Sequence, residues 1–230
     1  MKKISLILCA IIAVQSFGQR HLDFTLYEIL HKEDVKASPV EFDNQYSGII
    51  GSAFLADQWT GGKVFTMMKI YAIKKMKFDI YKNKIYINNN DTVFDITTTG
   101  IIQFDIFPDG DSTQKMSFNN GFNIEEITPE KFVQVLSEGK VSFLKYFHRN
   151  IEEVYESSPS YKEKKFLDKN KYYIAEEGQV GKEVTITKKN LEKILAPKFD
   201  MVSKYAKSND ISMSNETGWK KLIDYYNSLN

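Results

Sequence analysis

The side chains able to do chemistry are few and scattered. His21, His31 and His148 are the only histidines. No two have the close spacing of a helical metal site, and no Glu follows a His as in a metalloprotease. His148 follows Phe143 and Phe147 on an expected strand beside Arg149, which favours a structural or surface role. Serine is no better placed. There is no Gly-x-Ser-x-Gly elbow, and Gly51-Ser52 reads as turn chemistry. Paired carboxylates could cleave glycosides if placed across a cleft. Glu125-Glu126, Glu152-Glu153 and Glu176-Glu177 are instead sequence neighbours, which point to opposite faces of a strand. Asp105, Asp109 and Asp111 with Gly110 faintly resemble a calcium loop, but Ile106 and Phe107 interrupt the alternation of ligands, so a β-turn is the simpler reading. The expected catalytic residues, metal ligands and cofactors are therefore none.

Lys69, Lys74, Lys75, Lys77, Lys82 and Lys84 interleave with Tyr71, Phe78 and Tyr81. Such interleaving can bind single-stranded nucleic acid. A solvated strand face explains it more simply, with anionic glycan or lipid headgroups as the second reading. Lysines on an edge strand also discourage sheet-to-sheet aggregation.

The first eighteen residues carry a different kind of information. Lys2 and Lys3 precede an apolar run from Ile4 to Val14, and Ser16-Phe17-Gly18 places small residues three and one before Gln19. That is the layout of a secretory signal peptide, too short to span a membrane. The only cysteine, Cys9, lies inside the apolar run after Leu8, which disfavours lipid attachment. Cleavage after Gly18 would leave a chain of 212 residues with no cysteine, and hence no disulfide, thiolate–zinc site or thiol nucleophile. Losing Lys2 and Lys3 leaves 29 basic residues against 30 acidic ones, a net charge of −1. No overall field draws such a chain to nucleic acid or anionic lipid. With 42% apolar and 13% aromatic residues it can bury a core of its own.

The elements that must position these side chains read as strands first and helices last. Residues 20–46 are ambiguous and are read as a strand fraying into a loop around Ser38-Pro39. Met76, Phe78 and Ile80 alternate with lysines and Asp79, and Ile85 and Ile87 resume the alternation after Tyr81-Lys82-Asn83-Lys84. This predicts a hairpin, because Asn tolerates positive φ. Asn88-Asn89-Asn90-Asp91 is the next turn, with Phe94 and Ile96 beyond it. Ile102, Phe104 and Ile106 predict a further strand, closed by Pro108-Asp109-Gly110-Asp111. Hairpins are predicted around Ser137-Glu138-Gly139-Lys140 and around Gly178 to Gly181. Residues 156–165 are the best loop candidate. After Ile186 the period changes to 3.6. Thr187 predicts an N-cap before Leu191, Ile194 and Leu195. Pro197 opens a second helix with Phe199, Val202 and Ala206, and Trp219, Leu222, Ile223 and Tyr226 form the stripe of a third. The fold class is α+β: an antiparallel β-sheet meander, as a curved sheet or partial barrel, followed by a C-terminal helical segment. The expected division is a signal peptide over 1–18, a mostly antiparallel β domain over 19–186, and helices over 187–230 packed on that domain.

Asp91-Thr92-Val93 and Asp111-Ser112-Thr113 fall in expected turns. They resemble the short Asp-Ser/Thr sites that some Gram-negative envelope proteins carry as O-glycan acceptors, which would make Thr92 and Ser112 acceptors. Gly48-Ile49-Ile50-Gly51-Ser52-Ala53-Phe54-Leu55, then Trp59, Gly62 and Val64, resembles the opening of uncharacterised exported proteins of Bacteroidota, with Ala53 and Phe54 where that opening has Pro and Tyr. The strand pairs near Phe78 and Phe143, and the ending Leu222-Ile223-Asp224-Tyr225-Tyr226-Asn227, are similar too. The resemblance implies localisation and fold and carries no known activity.

The leading expectation is an exported, non-enzymatic envelope protein: a binding or interaction module, periplasmic, outer-membrane-associated or extracellular. Its expected partner is an envelope protein or an apolar small molecule and not nucleic acid, with peripheral membrane contact left open. A periplasmic carrier of an apolar ligand such as lipid is the alternative, its cavity lined by Phe65, Met67, Phe78, Ile80, Phe94, Ile102 and Phe104. A third reading is a hydrolase of envelope glycan or peptide, which needs two carboxylates, or His148 and a carboxylate, in one cleft.

Overall fold

The computed structural model describes residues 37–96, 100–108, 114–158 and 161–229. Residues 1–18 with Cys9, and His21, His31, Asp109, Asp111 and Ser112, lie outside them. Among the described residues there are fourteen strands: β1 (Ala37–Pro39), β2 (Ile49–Ile50), β3 (Thr60–Thr66), β4 (Ile70–Asp79), β5 (Lys84–Asn89), β6 (Thr92–Ile96), β7 (Ile101–Ile106), β8 (Met116–Asn119), β9 (Val133–Ser137), β10 (Val141–Tyr146), β11 (Arg149–Ser158), β12 (Tyr161–Asp168), β13 (Lys171–Glu176) and β14 (Lys182–Val184). Helices α1 (Lys188–Ile194), α2 (Phe199–Ser208) and α3 (Glu216–Ser228) follow, with a short 3-10 turn at Ala196–Lys198 between the first two.

Eleven strands form one sheet in the order β1-β6-β5-β4-β3-β7-β8-β9-β10-β13-β14, paired antiparallel throughout. The turns are built from the residues the pattern demands. Asn83 closes β4–β5 at φ +56°, and Asn90 and Asp91 close β5–β6 at +47° and +65°. The sheet does not close, but it curls. The Asn83 side chain bonds both the amide (2.9 Å) and the carbonyl (3.1 Å) of Phe132, at the root of β9. In a flat sheet β4 and β9 would stand four strand spacings apart, about 19 Å. The inside of the curl is a ring-packed core. Phe104 stacks on Phe118 at 4.7 Å, and Phe78 and Phe132 lie 5.0 and 5.1 Å from Phe104. Met76, Ile85, Ile87 and Ile96 fill the remainder. Gly62 permits this closeness, since a Cβ there would collide with the Met76 sulfur and the Asp105 carbonyl oxygen.

The other half of the sheet has a second core, under the helices. Thr187 caps α1 by accepting from the Asn190 amide, and Asn215 caps α3 by accepting from Gly218. Leu191, Val202, Trp219, Leu222 and Ile223 bury against Leu136, Val141 and Phe143. Asn227 fastens α3 to the β9–β10 turn: its Oδ1 accepts from Val141 N at 3.0 Å, and its Nδ2 donates to the carbonyls of Val141 (2.8 Å) and Glu138 (3.3 Å). Gly139 sits beneath it at φ +149°, where a Cβ would come within 2.7 Å of Asn227. Asn227→Ala strands the amide and carbonyl of buried Val141 and is expected to cost about 1–3 kcal/mol, read by denaturant unfolding. An unchanged midpoint would show that the latch is not needed.

Three expectations are corrected. Residues 156–165, read as a loop, belong mostly to a hairpin: β11 runs to Ser158, β12 begins at Tyr161, and β2 adds in parallel to β12. The strands carry cross-strand pairs such as Glu152 with Lys165 and Glu153 with Lys164, so charge takes the place of apolar alternation. Ser38-Pro39, read as a loop, lies in β1 opposite Asp95 and Phe94. β1 is a sheet edge, where a missing proline N–H is tolerated. In β7 the core residues are Ile101, Phe104 and Ile106, with Ile102 exposed, because a register shift at Phe65/Thr66 lets both Ile101 and Phe104 face inward.

Candidate interaction surface

The expected chemical groups do not converge. The His148 imidazole stacks on Tyr146 at 5.7 Å, in the two-residue link between β10 and β11 rather than on a strand. Glu126 pairs with Lys171, Glu152 with Lys169 and Glu153 with Lys162, at 3.0–3.5 Å, and Glu176 accepts from Gln179. Asp105 is buried and paired with Lys115 at 3.3 Å. Ser52 Oγ accepts from the Phe54 amide after Gly51 at φ +90°, which is turn chemistry. Among the described residues no group of three His, Cys, Asp or Glu is placed to hold a metal ion. Thr92 is exposed at the first residue of β6, directly after the Asn90-Asp91 turn. The seven apolar residues named above as cavity lining divide: Phe78, Ile80 and Phe104 are buried in the ring-packed core, Phe94 packs at its margin, Phe65 is half-buried on β3, and Met67 and Ile102 face solvent.

The basic stretch also divides. Lys77 lies over the Phe54 and Trp59 rings at 4.9 and 5.5 Å, and desolvation lowers its pKa. Lys82 lies over Tyr46 at 4.9 Å, and Lys84 pairs with Asp95. Lys74 and Lys75 are exposed on β4. The aromatic partners come from residues 42–59, which cross the outer face of β4 and β5. Phe42 stands 5.2–5.3 Å from Phe54, Trp59 and Tyr86, and Tyr46 meets Phe166 at 5.3 Å. The segment is tied down by Leu55 N to Phe78 O, Ile80 N to Ala53 O, and Arg149, whose guanidinium donates to the carbonyls of Ser52 and Phe54.

Asp79 is the centre of that attachment. It is fully buried, and it accepts from the Tyr46 hydroxyl and the Lys82 amide. Burial pushes its carboxyl above the ordinary carboxylate range, against the opposing pull of those donors. The folded state therefore holds this proton more tightly than the unfolded chain, whose aspartates titrate near about 3.9. The resulting stability is fully present below about pH 4 and is lost as pH rises through the folded-state value. Asp79→Asn cannot ionise. Thermal melts across a pH series should show the variant gaining on the parent as pH rises from about 4. A constant difference would mean that the carboxyl ionises in the fold as it does in water. Asp79 is sealed beneath Tyr46, and its work is to hold residues 42–59 in place.

What faces outward is the β3–β4 turn. β5 pairs with β4 only over Met76–Asp79, so the stretch from Ile70 to Lys75 reaches past it. At the end, Met67 and Met68 are 83% and 80% exposed and Ile70 53%. Thr66 builds this tip. Its Oγ1 accepts from the amides of Met68 (3.2 Å) and Lys69 (3.0 Å), and its own amide donates to Lys69 O at 2.9 Å. Thr66 itself is buried, so the turn is anchored and its two methionines point away from the core. Sequence reasoning missed this turn because Thr-Met-Met-Lys contains none of the usual turn residues. The legible signal was a pair of methionines between two alternating runs.

No protein family, curated protein or solved structure matches the chain. Among the described residues no helix is long and apolar enough to cross a membrane, which says nothing of strands.

Proposed function

We propose that the protein is an exported, non-enzymatic interaction module of the cell envelope that docks through the β3–β4 tip. The observation carrying this reading is the anchored turn with Met67, Met68 and Ile70 exposed side by side. Single exposed apolar residues are ordinary on a protein surface, but a group of them on one anchored turn marks a contact site. The basic n-region and apolar run of residues 2–14 support export.

The test is photo-crosslinking in the producing cells. A photoreactive side chain at position 67 is compared with one at Lys188, which is exposed on the first turn of α1. Adducts of discrete mass at 67 and not at 188, on a chain beginning at Gln19, are the expected result. No adduct at 67, or equal labelling at both positions, would overturn the docking reading; an intact leader on the recovered chain would overturn export.

A further inference from the structure

We infer that the tip inserts into the interface of an anionic lipid bilayer, an inference that rests on the docking reading above and names its partner. The argument begins with the backbone. A turn entering an apolar phase must satisfy its polar groups internally. Part of this turn does so: the Met68 and Lys69 amides bond to Thr66 Oγ1, and the Thr66 amide bonds to the Lys69 carbonyl. In water those amides would find solvent without a buried threonine to receive them.

The side chains agree. Met67, Met68 and Ile70 offer apolar area with no hydrogen-bonding group, and methionine is unbranched and adapts to a fluid surroundings. The tip is a short turn that overhangs β5 on one side and is flanked by the start of β7 on the other, where Ile101 pairs with Thr66. A stable protein interface needs about 800 Å² from each partner and a matched shape, whereas acyl chains close around a projection of any shape.

Charge then selects the kind of bilayer. Between Asp57 and Asp79 the chain has no acidic residue and five lysines: Lys63, Lys69, Lys74, Lys75 and Lys77. Lys77 is engaged by Phe54 and Trp59. Lys63 is exposed opposite Ala72, two residues down from the Phe65–Ile70 pair and so roughly 7 Å behind it. Lys74 is four residues down, roughly 13 Å. The one carboxylate across from Lys63 is Asp105, which is buried and paired with Lys115. With the tip buried about 5–10 Å, Lys63 stands among the headgroups. Lys74 and Lys75 stand just outside them, within reach of the surface potential.

The experiment uses protein recovered from cells expressing the full 230-residue chain, sedimented with vesicles of phosphatidylcholine alone or of phosphatidylcholine with phosphatidylglycerol. Binding is expected to the mixed vesicles and to weaken with salt. The double variant M67S/M68S should bind at least about tenfold more weakly with an unchanged melting temperature, since both side chains are exposed. Lys63→Gln with Lys74→Gln and Lys75→Gln should erase the preference for the anionic composition. Met201→Ser, at an exposed apolar position on α2, should change nothing. Failure of the parent to bind, equal binding to both compositions, or full binding by M67S/M68S would overturn the inference. A protein adduct at position 67 without vesicle binding would overturn it too, while leaving the docking reading in place.

Discussion

Trp219→Ala is expected to remove about 3–5 kcal/mol of stability, a large part of the roughly 5–15 kcal/mol available to a domain. Trp219 is fully buried at the centre of the helical core, 5.4 Å from the Phe143 ring on β10. Its indole N–H donates to the Met213 carbonyl at 2.8 Å, which fixes the loop before α3. Alanine leaves a cavity between helix and sheet and strands that carbonyl. Because α3 also carries Asn227 and the Ser137–Asp224 contact, loosening it loosens the β9–β10 turn. Unfolding followed by far-ultraviolet circular dichroism should show the midpoint fall steeply. A loss below about 1 kcal/mol would mean that the helices contribute little to holding this half of the sheet.

Phe104→Ala is expected to cost as much in the other core, about 3–5 kcal/mol. Its ring meets Phe78, Phe118 and Phe132 at 4.7–5.1 Å, so one truncation removes three aromatic contacts. Those rings come from β4, β8 and the residue preceding β9, the strands that the curl brings together. The cavity would open at the point where the sheet turns in on itself. The two cores lie on one continuous sheet and meet where β8 pairs with β9, so each variant should still unfold in a single transition seen alike by helix and aromatic probes. Separate transitions in either variant would show that the halves fold independently.

Much of the architecture was legible in the sequence because it is encoded locally. Alternation around Phe78 and Ile85 specified two strands, and Asn83 specified the turn between them, since few other residues accept its φ of +56°. Thr187 and the stripe of Trp219, Leu222, Ile223 and Tyr226 specified helices for the same reason. The β11–β12 hairpin was not legible. Its strands are paired through charge and backbone, with little apolar area, and periodicity is silent where neither face is buried. Ile102 was misread because a register shift is a property of two strands together.

The candidate site followed the same division. Composition showed a run of 21 residues rich in lysine and free of acid, and cysteine counting removed thiol chemistry from every residue after Cys9. Its apolar side chain placed Met67 among the possible cavity-lining residues. Only the tertiary structure decided otherwise: the pairing of β5 with β4 stops at Met76, β4 continues beyond it to the turn, and Thr66 turns inward to hold the backbone while Met67 and Met68 turn outward. The sequence by itself determined strands, turns, caps and the order of sheet before helices, because each depends on residues a few positions apart. Curl, the split of the lysines among ring, ion-pair and solvent environments, and the latch of helix to sheet depend on residues 11 to 90 positions apart, and were decided by packing.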